Sequence, residues 1–234
     1  MVVPDVNVIA TDELALRAAE KIAETLRKVT EVEGRACLAL AGGTTPRRVH
    51  EALAARTDVP WPLVHVYFGD ERCVAPDHPD SNYRMAKESL FDRVALSPSQ
   101  IHRPSAELLD RDAAARAYEA LLPARLDLII LGIGEDGHTA SLFPGSPALN
   151  ERERRYIPVV GPKPPPERLT LTPPALETAG ALLMLAVGAG KADAVARALE
   201  GSWDPEATPS QLARRGSWFI DPAAARLLVG ARER

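Results

Sequence analysis

The chain has little cysteine, no excess of positive charge and no long apolar run, and each deficit excludes a class of protein. Only two of its 234 residues are cysteines, Cys37 and Cys73, which are too few for a disulfide framework. Neither lies in a C-x-x-C pair or near a histidine at metal-ligand spacing. We therefore expect two reduced, partly buried thiols.

The charge balance argues against polyanionic partners. The chain has 28 lysines and arginines against 32 aspartates and glutamates, for a formal net charge of -4. A surface for nucleic acid or anionic lipid needs a net or clustered excess of lysine and arginine. We expect neither partner, and any bound anion should be small and held locally.

The apolar residues are spread along the chain. No apolar run approaches the roughly 20 residues that a membrane span needs. The N-terminal stretch MVVPDVNVIATDEL lacks the basic start and apolar centre of a signal peptide. We therefore expect a cytoplasmic protein, and its 46% hydrophobic and 26% charged residues are ordinary for a globular one.

Hydrophobic periodicity predicts the fold class. Apolar residues recur at three- and four-residue steps from Leu14 to Val29, which indicates an amphipathic helix. The continuous apolar runs in RACLALAGG, LVHVYFGDER, LDLIILGIG and GALLMLAVG predict strands buried on both faces, with helices between them. We predict one three-layer α/β/α domain over residues 1–234, with a Rossmann-like, mostly parallel sheet. The Pro-rich run GPKPPPERLTLTPP is predicted to be a surface excursion within it.

Ligands of open α/β sheets bind at the carboxyl ends of the strands, so the residues after each strand are the site candidates. The stretch AGGTTP combines Gly42 and Gly43 with the hydroxyls of Thr44 and Thr45 at a predicted helix start, which suits a phosphate. Thr44 or Thr45 is predicted to cap that helix, with Pro46 first in it. A glycine turn without ligand is the alternative. No Walker motif is present, so no nucleoside triphosphate is implied.

The segment Gly132–Gly137 fits the dinucleotide pattern G-x-G-x-x-G, but its context does not. Pro144 and Pro147 interrupt the helix that should follow, and Glu135 and Asp136 would direct negative charge at a pyrophosphate. We therefore expect no dinucleotide cofactor. The glycines are interpreted instead as room for a ligand against the strand end.

The same loop presents Asp136 and His138 two residues apart. Histidine can accept a proton at neutral pH, and a nearby carboxylate can fix its tautomer and stabilise its cation. A metal could bind the pair, but no third ligand has suitable spacing, so no metal is expected. No G-x-S-x-G or H-E-x-x-H pattern is present. The other histidines are predicted to pack or lie at the surface: His50, His65, His78 and His102.

Charged residues follow two more strands. Asp70, Glu71 and Arg72 come directly after one strand and could be a solvated salt-bridge cluster, or Arg72 could bind an anion with two parallel hydrogen bonds. Lys191 opens a helix after LAVGAG and is either solvated or directed into the same cleft.

Together these segments resemble the 6-phosphogluconolactonases, within the wider fold group that includes glucosamine-6-phosphate deaminase. The resemblance rests on LAGGTTPRRVHEAL, VYFGDERCVAPDHPDSNYRMAKESL, LDLIILGIGEDGHTASLFPGS, KPPPERLTLTPPAL and VGAGKADAV, in that order. It extends from about Leu38 to the final SWFIDPAAARLL. AGGTTP alone is shared across the fold group.

The resemblance implies a sugar-phosphate isomerase-like fold and hydrolysis of 6-phospho-D-glucono-1,5-lactone to 6-phosphogluconate, a step of the oxidative pentose phosphate pathway, without cofactor or metal. It implies that His138 is the base and that Asp136 orients it. The residues expected around the sugar phosphate are Gly42, Gly43, Thr44, Thr45, Asp70, Arg72, Lys163, Arg168 and Lys191.

Two other functions on this scaffold are the alternatives. A sugar-phosphate isomerase or deaminase would carry an additional acid after the D-G-H sequence, where Ser141–Pro144 stands here. A non-catalytic sugar-phosphate sensor would need no His138 and would be accompanied by a DNA-binding segment, which the sequence does not show. The sequence leaves the chain's own assembly open between monomer and homodimer.

Overall fold

Strands and helices alternate along most of the described chain. The computed structural model describes residues 4–229, within which lie nine strands and seven α-helices, numbered here in chain order. The strands are β1 (Asp5–Val8), β2 (Ala36–Leu40), β3 (Val64–Phe68), β4 (Asp70–Arg72), β5 (Leu128–Gly132), β6 (Tyr156–Val160), β7 (Glu167–Leu171), β8 (Ala181–Ala186) and β9 (Ser217–Ile220). The helices are α1 (Leu14–Glu33), α2 (Thr44–Ala54), α3 (Asn82–Ser89), α4 (Arg111–Leu121), α5 (Pro173–Thr178), α6 (Ala192–Leu199) and α7 (Pro222–Ala225).

Six strands form a central sheet in the order β1-β9-β8-β5-β2-β3, and every neighbouring pair is parallel. The chain moves outward from β2 to β3 and then returns to place β5 on the other side of β2. The connections after β2 and β5 therefore leave in opposite directions. Such a topological switch point opens a crevice at the carboxyl ends of the two strands.

Both faces of this sheet are covered. In β5, Leu128 and Ile130 pack in a core with α1, α2 and α3, whereas Ile129 and Leu131 pack on the opposite side with α4, α5, α6 and α7. Alternate side chains of a strand point to opposite faces, so a strand covered on both sides must be apolar throughout. The predicted three-layer architecture is confirmed.

A second, smaller sheet was not predicted. It is antiparallel, with the order β4-β7-β6. Residues 161–166 of the Pro-rich run connect β6 to β7, and the rest of the run forms β7 and begins α5. Strand β4 has no apolar pattern from which it could be predicted, because its three residues, Asp70 to Arg72, are all charged. Pairing with β7 places Arg72 directly opposite Arg168, so two guanidinium groups distant in sequence become neighbours.

The predicted cap of α2 is wrong. Gly43 is the N-cap, with φ 107°, and Thr44 is already the first helical residue. A left-handed φ of this size favours glycine over threonine. Pro46 is consequently third in the helix, where its missing N–H costs little because the first N–H groups of a helix have no partner within it. Since glycine has no side chain, it cannot cap these groups.

Both cysteine thiols are free and shielded, as expected. Cys37 is buried and Cys73 half-buried. Burial raises the pKa of the Cys37 thiol and raises that of Cys73 to about 11. The reactive thiolate is therefore disfavoured at neutral pH.

No helix within residues 4–229 has the length and apolar character that crossing a bilayer requires.

His50 is fully buried between α2 and α3. Its Nδ1 lies 3.3 Å from the hydroxyl of Ser89, and that hydroxyl donates to the carbonyl of Met85 at 2.6 Å. The Ser89 proton is thus in use, so His50 donates from Nδ1 and its Nε2 is unprotonated. Nε2 is buried without a partner among the described residues. Burial lowers the pKa of His50 to about 4, because the apolar surroundings disfavour the imidazolium.

This burial makes stability depend on pH. Between pH 6.5 and about 4 the unfolded chain binds a proton at His50 and the folded chain does not, so stability falls as the pH falls. We expect His50 alone to lower the free energy of unfolding by about 2 kcal/mol between pH 7 and pH 5. Urea unfolding of the wild type and of His50→Asn at several pH values measures this effect. The part of the pH dependence that comes from His50 should be absent in the variant. His78→Asn, at an exposed histidine, should keep the wild-type pH dependence, and identical pH dependence in all three proteins would contradict the assignment.

Candidate active site

A cavity of about 210 Å³ lies at the topological switch point. Its walls come from the segments that follow β2, β5 and β8, from the start of α3 and from strands β4 and β7 of the small sheet. The lining residues are Ala41, Gly42, Gly43, Asp70, Arg72, Asn82, Gly132, Ile133, Gly134, His138, Ala140, Arg168 and Lys191. The central sheet thus places glycine turns around a space that the small sheet closes from one side.

His138 and Asp136 form a hydrogen-bonded pair at this cavity. The Nδ1 of His138 lies 2.6 Å from Oδ1 of Asp136, and the backbone N–H of His138 donates to the same oxygen at 3.1 Å. Partial burial works to raise the pKa of Asp136, but the nearby imidazole and these hydrogen bonds outweigh it and lower that pKa. Because an ionised carboxylate only accepts, His138 carries its proton on Nδ1 and leaves Nε2 free.

Glycine at position 134 makes room for this pair. A Cβ there would lie 2.1 Å from Nδ1 of His138 and 2.3 Å from Oδ1 of Asp136. Gly137 has φ 94° and turns the chain between the two partners. Gly132 and Gly134 line the cavity, as expected of glycines that make room for a ligand, and Gly137 does not line it. At Gly134 and Gly137 glycine is also needed by the loop itself, a second reason that the sequence pattern did not suggest.

Two guanidinium groups flank the cavity. Arg72 and Arg168 face each other across the β4–β7 pair. Backbone carbonyls accept their hydrogen bonds: Asp80 from Arg72 at 2.5 Å, and Pro165 and Lys163 from Arg168 at 3.2 and 3.4 Å. Arg168 is 8% exposed, and burial lowers the pKa of its guanidinium. Carbonyls carry only partial charge, so much of this positive charge stays available to an anion.

Lys191 adds a third cation. It ends a short 3-10 turn that begins after Gly188, whose φ is 99°, and it directly precedes α6. The backbone N–H of Gly188 donates to Asp221 at 3.0 Å, which holds this turn against the start of α7. The turn after β8 thereby brings an ammonium group to the cavity.

The start of α3 is already occupied by a carboxylate of the protein. Glu71, 3% exposed, accepts from the backbone N–H groups of Asn82 and Tyr83 at 2.7 and 2.8 Å and from the Ser81 hydroxyl at 3.1 Å. Burial raises the pKa of Glu71 while these N–H donors oppose the rise. Glu71 is therefore a buried anchor of α3. The start of α2 differs, because its N-cap is Gly43 and no side chain accepts a capping hydrogen bond there.

Asp70 belongs to a buried polar network at the cavity wall. Its Oδ2 accepts from Ser141 at 2.6 Å and its Oδ1 from the side-chain amide of Asn82 at 3.2 Å. Asn82 and Ser141 were not predicted as site residues. The Ser81-Asn82 pair at a helix start is a cap signal, but only the folded structure brings it next to β2 and β4.

The structure brings most of the predicted site residues together and leaves four outside the cavity wall. Asp136 reaches the cavity only through His138. Thr44 lines an adjoining groove of about 470 Å³, and Thr45 lies in the first turn of α2. Lys163 is exposed on the Pro-rich connection and meets the site only through its carbonyl.

Within the described residues, no group of three or more histidine, cysteine, aspartate or glutamate side chains is arranged to hold a metal ion.

Fold and cavity together define an α/β protein with a histidine–aspartate pair facing a cationic pocket at a topological switch point. The family model described as glucosamine-6-phosphate isomerases/6-phosphogluconolactonase matches residues 10–220. The chain belongs to this family.

Curated relatives share one name. A 6-phosphogluconolactonase of Synechocystis sp. is 37% identical over 236 residues, covering 94% of this chain and 97% of the relative. A 6-phosphogluconolactonase of Nostoc sp. is 39% identical over 231 residues, covering 91% and 94%.

Structural likeness is broader than sequence likeness. The 6-phosphogluconolactonase of Trypanosoma brucei superposes with a TM-score of 0.85 at 28% identity, covering 97% of this chain and all of that one. A monomeric glucosamine-6-phosphate deaminase reaches 0.84 at 25% identity, covering 95% and 99%. The backbone alone therefore does not separate the two activities.

Gly42 should be essential for the polar network. A Cβ at this position would lie 1.9 Å from Oδ1 of Asn82, so Gly42→Ala must displace that side chain from Asp70. We expect a loss of about 1–3 kcal/mol in the free energy of unfolding, because a buried amide loses its partners. Gly132→Ala is the matched control, since its Cβ would meet nothing within 4 Å. Equal unfolding free energies for the two variants would contradict the steric argument.

Proposed function

We propose that this chain hydrolyses 6-phospho-D-glucono-1,5-lactone to 6-phosphogluconate, the lactone-opening step of the oxidative pentose phosphate pathway. The observation that carries the proposal is the His138–Asp136 pair, placed at a cavity with three cationic side chains. The names of the curated relatives support the same substrate. One end of this substrate is an ester carbonyl that needs a base, and the other end is a dianion that needs cations.

His138 serves as the general base. With its proton on Nδ1 and directed at Asp136, its Nε2 takes a proton from water as that water attacks the lactone carbonyl. When the tetrahedral intermediate collapses, Nε2 returns the proton to the ring oxygen, which leaves as a hydroxyl. Asp136 keeps the tautomer fixed and stabilises the imidazolium between the two steps.

The phosphate binds at the cationic side of the cavity. Arg168 and Lys191 supply charge, and Gly43 leaves the first N–H groups of α2 exposed to an anion. Since Glu71 fills the start of α3, α2 is the helix whose positive end is open to the substrate. Thr44 and Thr45 belong to this set through their place in the first turn of α2.

Arg72 and Asp70 complete the binding set. Burial lowers the pKa of Arg168, and the charge of Asp70 works against this by favouring the charged guanidinium. We assign Asp70 to holding these cations in place and to accepting a sugar hydroxyl. Lys163 stays a prediction, because its ammonium joins the site only if the Pro-rich connection moves.

A deaminase or isomerase activity is the second candidate, favoured by the close superposition with a glucosamine-6-phosphate deaminase. Opening an amino-sugar ring calls for a further acid, and Ser141 and Phe143 are buried where the sequence would supply it. Absence of ammonia release from glucosamine 6-phosphate, together with fast lactone opening, would favour the lactonase.

His138→Asn tests the base. Asparagine cannot accept the proton, so we expect the rate of lactone opening to fall at least about 10²-fold. Stopped-flow measurement of acid release from freshly generated 6-phosphogluconolactone would follow the reaction above its spontaneous rate. His65→Asn, near the amino end of β3 and therefore at the edge of the sheet opposite the cavity, should behave as the wild type. Equal rates for His138→Asn and the wild type would remove His138 from the mechanism, and a wild type no faster than buffer would favour a sensor.

Lys191→Ala tests the phosphate end. Loss of one charge-assisted hydrogen bond to phosphate should raise KM by about 10-fold or more, since such bonds are worth about 1.5–3 kcal/mol. Lys28→Ala, at an exposed lysine of α1, is the control and should leave KM unchanged. An unchanged KM in Lys191→Ala, with the fold intact by circular dichroism, would place the phosphate elsewhere.

A further inference from the structure

Phe143 is buried, yet it belongs to neither hydrophobic core. It is 6% exposed, but it is absent from both clusters of apolar side chains that cover the central sheet in the described residues. Its ring centroid instead lies 4.8 Å from that of His138, with the two planes tilted by 46°. A large aromatic side chain thus packs against the candidate base rather than into the core.

The same ring has two other neighbours. The guanidinium carbon of Arg168 lies 5.5 Å from the Phe143 centroid, within the range of a cation–π contact. Gly161 packs against the ring so closely that a Cβ there would lie 2.7 Å from one ring carbon and 2.8 Å from the next. Phe143 is therefore enclosed by the base, by an anion-binding arginine and by the backbone at the end of β6.

We propose that Phe143 is a positioning residue, whose ring holds the imidazole of His138 in the orientation that the proton transfer needs. This rests on the proposed lactonase function. The hydrogen bond to Asp136 fixes one atom of the imidazole, Nδ1, but the ring can still tilt about that atom. The tilted contact with the Phe143 ring removes this freedom and keeps Nε2 directed at the cavity.

The energetic reason is the sensitivity of proton transfer to geometry. Displacing a reacting group by about 1 Å can cost about 10²-fold in rate, and packing is what prevents such displacement. Arg168 benefits from the same ring, because its contact with Phe143 orients the guanidinium beside the cavity. A single aromatic side chain thereby sets the distance between the base and the anion-binding arginine.

Two independent changes disturb this ring. Phe143→Leu removes the aromatic plane while keeping an apolar side chain. Gly161→Ala keeps the ring but pushes it, and because Gly161 does not have a positive φ, alanine is tolerated by the backbone. Phe219→Leu is the matched control: Phe219 is also 6% exposed, but it packs in the core with α1.

We expect both site variants to lower kcat about 10-fold or more, because the base loses its orientation. Because the added Cβ of Gly161→Ala would also lie 3.3 Å from Nε of Arg168, KM is expected to change in both variants, and the positioning role is judged from kcat. Phe219→Leu should lower the melting temperature as much as Phe143→Leu does and keep the wild-type kcat. Wild-type kcat in Phe143→Leu, or an equal loss of kcat in Phe219→Leu, would overturn the proposal.

A spectroscopic measurement separates this inference from the proposed function. The Nδ1 proton shared with Asp136 should give a downfield proton resonance, assigned by its loss in His138→Asn. We expect this resonance to shift or broaden in Phe143→Leu and in Gly161→Ala, and to be unchanged in Phe219→Leu. An unaltered resonance in the two site variants would refute the positioning role whatever the substrate is. A wild type without lactonase activity would instead refute the proposed function and leave this readout valid.

Discussion

The hydrogen bond from Nδ1 of His138 to Asp136 is the interaction on which the site depends. It fixes the tautomer, so that the free nitrogen faces the cavity, and it imposes demands on the surrounding chain. Gly134 must lack a side chain and Gly137 must adopt a left-handed turn for the two partners to meet. This loop begins at the end of strand β5, which is buried on both faces and is therefore held firmly in the sheet. Core packing and site geometry are therefore parts of one arrangement.

The N-termini of helices α2 and α3 differ in their electrostatic surroundings. The positive end of α3 is neutralised by Glu71, a buried carboxylate of the protein itself, whereas α2 begins at a glycine that cannot cap it. Arg168 and Arg72 are held by carbonyl groups and keep much of their charge. The start of α2 and the two guanidinium groups therefore all contribute positive potential to the same cavity. Three cationic side chains thus line one small cavity even though the chain as a whole is negatively charged.

Local sequence patterns were enough to predict the long helix α1 and the apolar strands of the central sheet. They were not enough to predict the contacts between segments that are remote in sequence. The periodicity from Leu14 predicts α1, and continuous apolar runs predict the central strands, because burial on a helix face or on both faces of a sheet leaves a repeat in the sequence. Strand β4 leaves none, since three charged residues form it. Asn82 and Phe143 were not predicted as site residues for the same reason. Asn82 contacts Asp70 of β4 and Phe143 contacts Arg168 of β7, and these segments meet only in the folded chain. The N-cap of α2 was mispredicted because the positive φ of Gly43, which favours glycine at the cap, leaves no pattern in the sequence.

The alternation of side chains along β4 has a consequence for how this segment can vary. Asp70 and Arg72 face the cavity, while Glu71 between them points to the opposite side and anchors α3. Three consecutive charged side chains thus contribute to two different sites, because successive side chains of a strand point to opposite faces. Inserting or deleting a single residue here would exchange the two sets, sending the anchor into the cavity and the cation into the helix start. The length of this segment is consequently under tighter constraint than the identity of most of its neighbours.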